Sequence, residues 1–223
     1  ITRVHLEEDT GNLLHPEGTD YSLVDYNRAG VPLMELVTEP DITSAEQAAQ
    51  FAKELQLILR YLDVSDADME KGQLRIEANI SLQSNHQPST NNYQLGTKVE
   101  VKNLNSFRAV QGAIDCEIKR QTMLLEGGEK VIQETRGWDD KLGKTYPQRE
   151  KESAHDYRYF PEPDLPTVDL ESLVVAVSKE GKIELPQQKR ERFIKDYQIP
   201  PAAADVLVQK KAWTDYFEKI NGP

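Results

Sequence analysis

An α+β fold is what this sequence predicts, and three observations predict it. Strand-period segments follow one another closely enough to pair locally, two long segments of helical period lie between them, and the last forty residues carry a helical pattern broken by proline. The 223 residues are 38% apolar and 29% charged, enough to bury a sizeable core, so disorder is not the default reading. No run approaches the roughly 18 consecutive apolar residues of a membrane helix.

Arg3-Val4-His5-Leu6-Glu7-Glu8 alternates with the period of a half-buried strand and puts His5 and Glu7 on one face. A looser stretch to Gly18 precedes two further strands, Tyr21 to Tyr26 and Leu33 to Val37, separated by Asn27-Arg28-Ala29-Gly30. Thr43 and Glu46 form a capping box for a helix from about Ser44 to about Leu62, with Ala48, Phe51, Leu55, Leu59 and Leu62 at helical spacing. Leu74 to Leu82 is a strand with Arg75, Glu77, Asn79 and Ser81 on one face. Across a polar loop, Thr97 to Lys102 puts Lys98, Glu100 and Lys102 on one face, and the two read as an antiparallel hairpin. Asn105 or Ser106 caps a second helix carrying Val110, Ala113, Ile114, Glu117 and Met123, ended by Gly127-Gly128. Glu134-Thr135-Arg136, Asp156 to Phe160 and Leu173 to Val177 supply later strands. Helical pattern returns after Gly181, with Phe193, Ile194 and Tyr197 ahead of Pro200-Pro201 and a further run from Ala204 to Ile220.

A net charge of −11 argues against tight nucleic-acid binding by the chain alone. The acidity belongs to residues 1–182, with 20 basic against 32 acidic residues, whereas residues 183–223 hold 7 against 6. Cys116 is the single cysteine, so no internal disulfide or Cys-rich zinc site exists and the cytosol is the expected compartment. The opening Ile1-Thr2-Arg3-Val4 has no initiator Met and no signal-peptide pattern, and the chain reads as an excised piece of a longer protein.

Gly143-Lys144-Thr145 invites a phosphate-loop reading, but the five residues between Gly137 and Gly143 are one too many and Pro147 stands where the helix should begin. The histidines His5, His15, His86 and His155 lack zinc-ligand spacing, and no nucleophile motif is present. What remains is carboxylates beside cations on strand faces. A magnesium–nucleotide site needs this mixture, because oxygen ligands hold the hard metal while Lys and Arg neutralise phosphate oxygens. From pattern alone an ordinary wet sheet face with cross-strand ion pairs is the commoner explanation.

Read together, His5-Leu6-Glu7-Glu8-Asp9, Tyr21 to Arg28, Leu74 to Ser81, Lys102-Asn103-Leu104-Asn105-Ser106-Phe107, Gln133-Glu134-Thr135-Arg136 and Asp156 to Asp164 resemble the B subunits of aspartyl/glutamyl-tRNA amidotransferases, bacterial or organellar in type. The resemblance covers essentially the whole chain and favours a site over an ordinary wet face. It implies a glutamine-synthetase-like cradle built on antiparallel sheet with helices at 1–182, lacking its opening segment, then the first part of a helical domain at 183–223, with the C-terminal tail domain absent. The implied reaction uses ATP and Mg2+ to phosphorylate the side-chain carboxylate of Glu or Asp on a mischarged tRNA, after which ammonia displaces phosphate. The implied partners are an amidase A subunit that supplies the ammonia, a small C subunit completing a heterotrimer, and the tRNA, in the bacterial cytosol and at no membrane. The piece alone is expected to be inactive.

The same resemblance implies roles. Glu8 and Glu100 are the leading magnesium ligands, with Glu7 and Glu77 next and His5 as an orienting neighbour. Arg75, Lys98 and Lys102 face phosphates as the catalytic cations, and Asn79, Asn103 and Ser106 position them. Arg28, Arg136 and Arg158 are candidates for the nucleotide or the tRNA end, each with a structural ion pair as the alternative. A non-catalytic RNA-binding or scaffold module that has lost the site is the rival reading, and a magnesium-dependent kinase of free amino acids the enzymatic one.

Overall fold

The computed structural model describes residues 1–82, 95–150, 166–179 and 183–221. They fall into two compact units, Ile1–Ile42 with His155–Ala176 and Thr43–Ala154 with Val177–Pro223. The loop from Ser84 to Asn92 and the strand expected at Asp156 to Phe160 lie outside the described residues.

In the first unit β1 (Arg3–Glu8) pairs antiparallel with β4 (Pro32–Val37), and β2 (Asn12–Leu14) with β3 (Leu23–Asp25). The stretch expected to be loose therefore contains a short strand. Gly11 makes this geometry possible: its φ is +93°, and a Cβ there would lie 2.8 Å from the Asp25 carbonyl oxygen.

The second unit opens with α1 (Ala45–Tyr61). Its cap is Ser44, whose hydroxyl accepts the Gln47 N–H at 3.1 Å while the Gln47 side-chain oxygen Oε1 accepts the Thr43 N–H at 2.9 Å. The reciprocal pair is thus one residue later than the expected Thr43–Glu46 box, because the extended backbone belongs to Ser44. Ala45, Ala49 and Ala52 form its buried small-residue stripe.

Next come β5 (Ile76–Ile80), β6 (Val99–Leu104), α2 (Phe107–Glu126), β7 (Glu134–Asp139) and β8 (Lys144–Glu150), with the strands forming one sheet in the order β5-β6-β7-β8. The β5–β6 hairpin is antiparallel as expected, but β6 and β7 run parallel because α2 crosses over between them. Ile80, Val101, Leu104, Val110, Ala113 and Ile114 pack with Ala45 into a core between the sheet and the two helices. Apolar surface buried here stabilises the unit at roughly 25 cal/mol per Å². The rejected phosphate-loop tripeptide lies at the β7–β8 hairpin, where Gly143 has φ +60° and the Asp139 carboxylate accepts the Lys141 and Leu142 N–H groups at 2.9 and 3.0 Å.

The strand expected at Leu173 to Val177 is instead part of a helix, α3 (Leu170–Lys179). The β-branched run suggested a strand, yet Leu170, Leu173, Val174 and Val177 also have helical spacing, and the Asp169 carboxylate accepts the Glu171 N–H at 3.0 Å. The chain ends in α4 (Pro186–Asp196), α5 (Pro201–Leu207) and α6 (Lys211–Asn221). These helices share a unit with α1 and the sheet. Tyr61 donates its hydroxyl to the Val208 carbonyl at 3.0 Å, Arg190 meets Glu54 at 3.1 Å, and Phe193, Tyr197 and Phe217 pack edge-to-face or tilted with centroids 5.1 to 5.5 Å apart.

Candidate active site

The predicted alternation of β5 is realised: Arg75, Glu77 and Asn79 are exposed, while Ile76 and Ala78 are half-buried and Ile80 is buried. Asn79 stands directly opposite Glu100. The Lys102 ammonium lies 3.1 Å from Glu77 Oε1 and 3.8 Å from Glu100 Oε1, so it bridges the two carboxylates. Glu100 is only 7% exposed, and its second oxygen accepts the Thr135 hydroxyl at 2.9 Å from β7. Lys98 projects to solvent with no ion-pair partner among the described residues. The structure thus joins Glu77, Glu100 and Lys102, as the sequence suggested, and adds Thr135, which strand-by-strand reading missed because β6–β7 pairing spans a whole helix.

Beneath the sheet lies a buried ion cluster. The Glu117 carboxylate of α2 is fully buried and accepts hydrogen bonds from Arg120, Gln121 and Thr145 at 2.5 to 3.1 Å, with Arg136 at 3.5 Å. Arg136 in turn meets Glu134 at 2.6 Å. Burial pushes the Glu117 carboxyl up, but the bonds from Arg120, Gln121 and Thr145 and the Arg120 charge outweigh it, holding the group below the usual carboxylate range. The sequence signal was an acid in an otherwise apolar helix stripe.

In the first unit, register sets His5 opposite Glu35 and Glu7 opposite Leu33. His5, Glu7 and Glu35 therefore share a face with Arg3, which meets Glu35 at 3.6 Å. Glu35 was not singled out from sequence, since only pairing reveals its neighbour. Glu8 belongs to the other face, at the end of the strand and opposite Pro32. Among the described residues no group of three or more His, Cys, Asp or Glu side chains could by itself hold a metal ion.

The remaining candidates divide. Arg28 meets Asp9 at 3.3 Å. Arg136, a candidate for the nucleotide or the tRNA end with a structural ion pair as the alternative, is 8% exposed and bound to Glu134, Glu117 and Thr145. Ser106 accepts the Ala109 N–H at 3.0 Å as the cap of α2, and Asn103 is exposed with φ +62°. Arg158 lies outside the described residues. An open groove of about 690 Å³ between α1 and α4, lined by Glu46, Gln50, Glu54 and Arg190 among others, contains none of the candidates.

Residues 1–176 match the GatB/GatE catalytic domain. The chain is similar to the B subunits of aspartyl/glutamyl-tRNA(Asn/Gln) amidotransferases: 50% identical over 219 residues to that of a Thermoanaerobacter species, 51% over 221 residues to that of Thermodesulfovibrio yellowstonii and 48% over 223 residues to that of Thermosynechococcus vestitus. Each match takes in 98% of this chain but only 44 to 45% of the relative, so the chain spans less than half the length of these relatives. With most of its length matched by one family model and half its residues shared with such relatives, the chain belongs to the GatB/GatE catalytic-domain family.

Proposed function

We propose that this chain supplies the phosphorylating and amidating surface of an ATP-dependent tRNA amidotransferase, acting on Glu-tRNA(Gln), Asp-tRNA(Asn) or both. The observation that carries this reading is the exposed β5–β6 face, where Lys102 bridges Glu77 and Glu100 beside exposed Lys98, in a chain of a catalytic-domain family. A carboxylate is a poor electrophile, and its activation requires charge neutralisation at transferring phosphate oxygens. Lys98, Lys102 and Arg75 are the cations proposed for that work, with Asn79 orienting the phosphates.

The donor set fits ATP with Mg2+. Magnesium is held by one or two carboxylates plus substrate phosphates, and Glu77 and Glu100 lie 3.1 and 3.8 Å from the same Lys102 ammonium. Glu100 and Glu77 are the carboxylate ligands proposed on the sheet of the second unit, and Glu8 and Glu7, on opposite faces of β1, are the candidates carried by the first. When bound, the metal would offset negative charge on the phosphates. The bond from Thr135 and the ion pair with Lys102 orient Glu100, and Lys102 holds its charge where phosphate oxygens would approach.

In the full protein the partners would be a glutaminase A subunit delivering ammonia and a small C subunit, in the cytosol. No helix among the described residues is long and apolar enough to cross a membrane. The test is Glu100→Gln in the full-length protein assembled with its partners. Amide formation is expected to fall at least about a hundredfold, as for loss of a ligand to a catalytic ion, while glutaminase activity persists. Unchanged tRNA-dependent ATP hydrolysis would overturn the reading and favour a binding role.

A further inference from the structure

Pairing along β5 and β6 slips by one residue. Ala78 stands opposite Val101 and Ile76 opposite Leu104, so Glu77 alone faces both Lys102 and Asn103. This is a β-bulge, an extra residue on one strand that re-aims its neighbours. Its cause is legible in the residues: Val99, Val101 and Leu104 are all fully buried, yet Val101 and Leu104 are three apart and would point to opposite faces of a regular strand. One surplus residue must be absorbed between them. Asn103 absorbs it with φ +62°, the left-handed region that, after Gly, Asn enters most readily. Lys102 consequently keeps its place on the Glu100 face, above Glu77 at 3.1 Å, while Leu104 still reaches the core.

We infer that Asn103 is a positioning residue: its backbone, rather than its side chain, acts by forming the bulge that sets Lys102 between Glu77 and Glu100. This rests on the reading of Lys102 as a phosphate-facing cation, and it gives Asn103 a different part from the direct phosphate contact implied by resemblance. The prediction is an order of substitution by φ preference. Gly adopts φ +62° at no steric cost, Ala at a cost, and a β-branched residue worst of all.

The experiment uses the full-length protein, assembled with its partners, carrying Asn103→Gly, Asn103→Ala or Asn103→Val. Two quantities are read: the kcat and KM of tRNA-dependent ATP hydrolysis, and the rate at which an amine-reactive acetylating reagent labels Lys102, followed by mass spectrometry of its peptide. Asn103→Gly should show Lys102 labelled at close to the unsubstituted rate and keep the highest kcat of the three variants, because glycine preserves the bulge. Asn103→Val should lower kcat roughly tenfold or more with little change in the KM for tRNA, and Lys102 should be labelled several-fold faster once its ion pair loosens. A glycine variant as impaired in turnover as the alanine variant, with Lys102 still protected, would show that the side chain is the working group and overturn the inference. Native labelling of Lys102 in the valine variant would also overturn it. Should the valine variant not assemble, the glycine and alanine pair decides the question. The labelling series reads geometry alone, so it stands even if Lys102→Ala proves fully active and the functional reading of that lysine fails.

Discussion

Two strand pairs in this molecule carry the same alternation of polar and apolar residues and use it differently. On the β5–β6 pair the apolar face is buried against α1 and α2, and the polar face is held by Thr135 and Lys102. On the β1–β4 pair the apolar residues Val4, Leu6 and Met34 are 52, 63 and 41% exposed, and the polar face carries the ion pair of Arg3 with Glu35. Alternation therefore specifies which residues share a face, whereas fixing a carboxylate in one orientation takes a second layer behind the strand. Glu100 has that layer; among the described residues of their own unit, His5 and Glu7 do not. The sheet beside α2 therefore holds its polar groups more firmly than the β1–β4 pair does.

The contrast can be broken most strongly at its buried support. Glu117→Ala should destabilise the second unit by about 3–5 kcal/mol, since it removes a buried carboxylate and leaves Arg120 and Arg136 to share Glu134, whereas Leu6→Ala on the exposed face of β1 should cost under about 0.5 kcal/mol. Equilibrium urea unfolding measures both, and similar losses would erase the distinction.

The pH response sharpens the same point. The Glu117 carboxyl titrates below its ordinary range in the folded protein, so its contribution is present above the unfolded-state value and disappears as pH falls through that value toward the depressed folded one. Acid titration of stability should show a steep limb under about pH 4.5 that Glu117→Gln flattens. A limb equally steep in the variant would place the acid sensitivity elsewhere.

Smaller effects test how the last three helices are joined to α1. Tyr61→Phe removes the donor to the Val208 carbonyl and should cost about 1–2 kcal/mol, read as a lower urea midpoint with an unchanged slope. Ser106→Ala, which removes the cap of α2, should cost about 1 kcal/mol by the same measurement. If the phosphates also contact Ser106, turnover in that variant should fall further than stability does.

The α+β class, the faces of β1, β5 and β6, the span of both long helices and the placing of carboxylates and lysines on those strand faces were determined by sequence alone. They follow from periodicity, capping and charge pattern, which are local properties. Tertiary structure decided what depends on a partner distant in the chain. Pairing of β6 with β7 brings Thr135 to Glu100, register sets Glu35 beside His5, and burial removes Arg136 from solvent and turns it to Glu117 and Glu134. It also chose helix over strand for residues 170–179, where the β-branched residues favour one and the Asp169 cap and the spacing favour the other. The bulge at Asn103 stands between the two cases. Its cause, two core residues three apart, is written in the sequence, but only the fixed register of β5 obliges the chain to absorb the surplus residue there, because both Val101 and Leu104 must reach the same core.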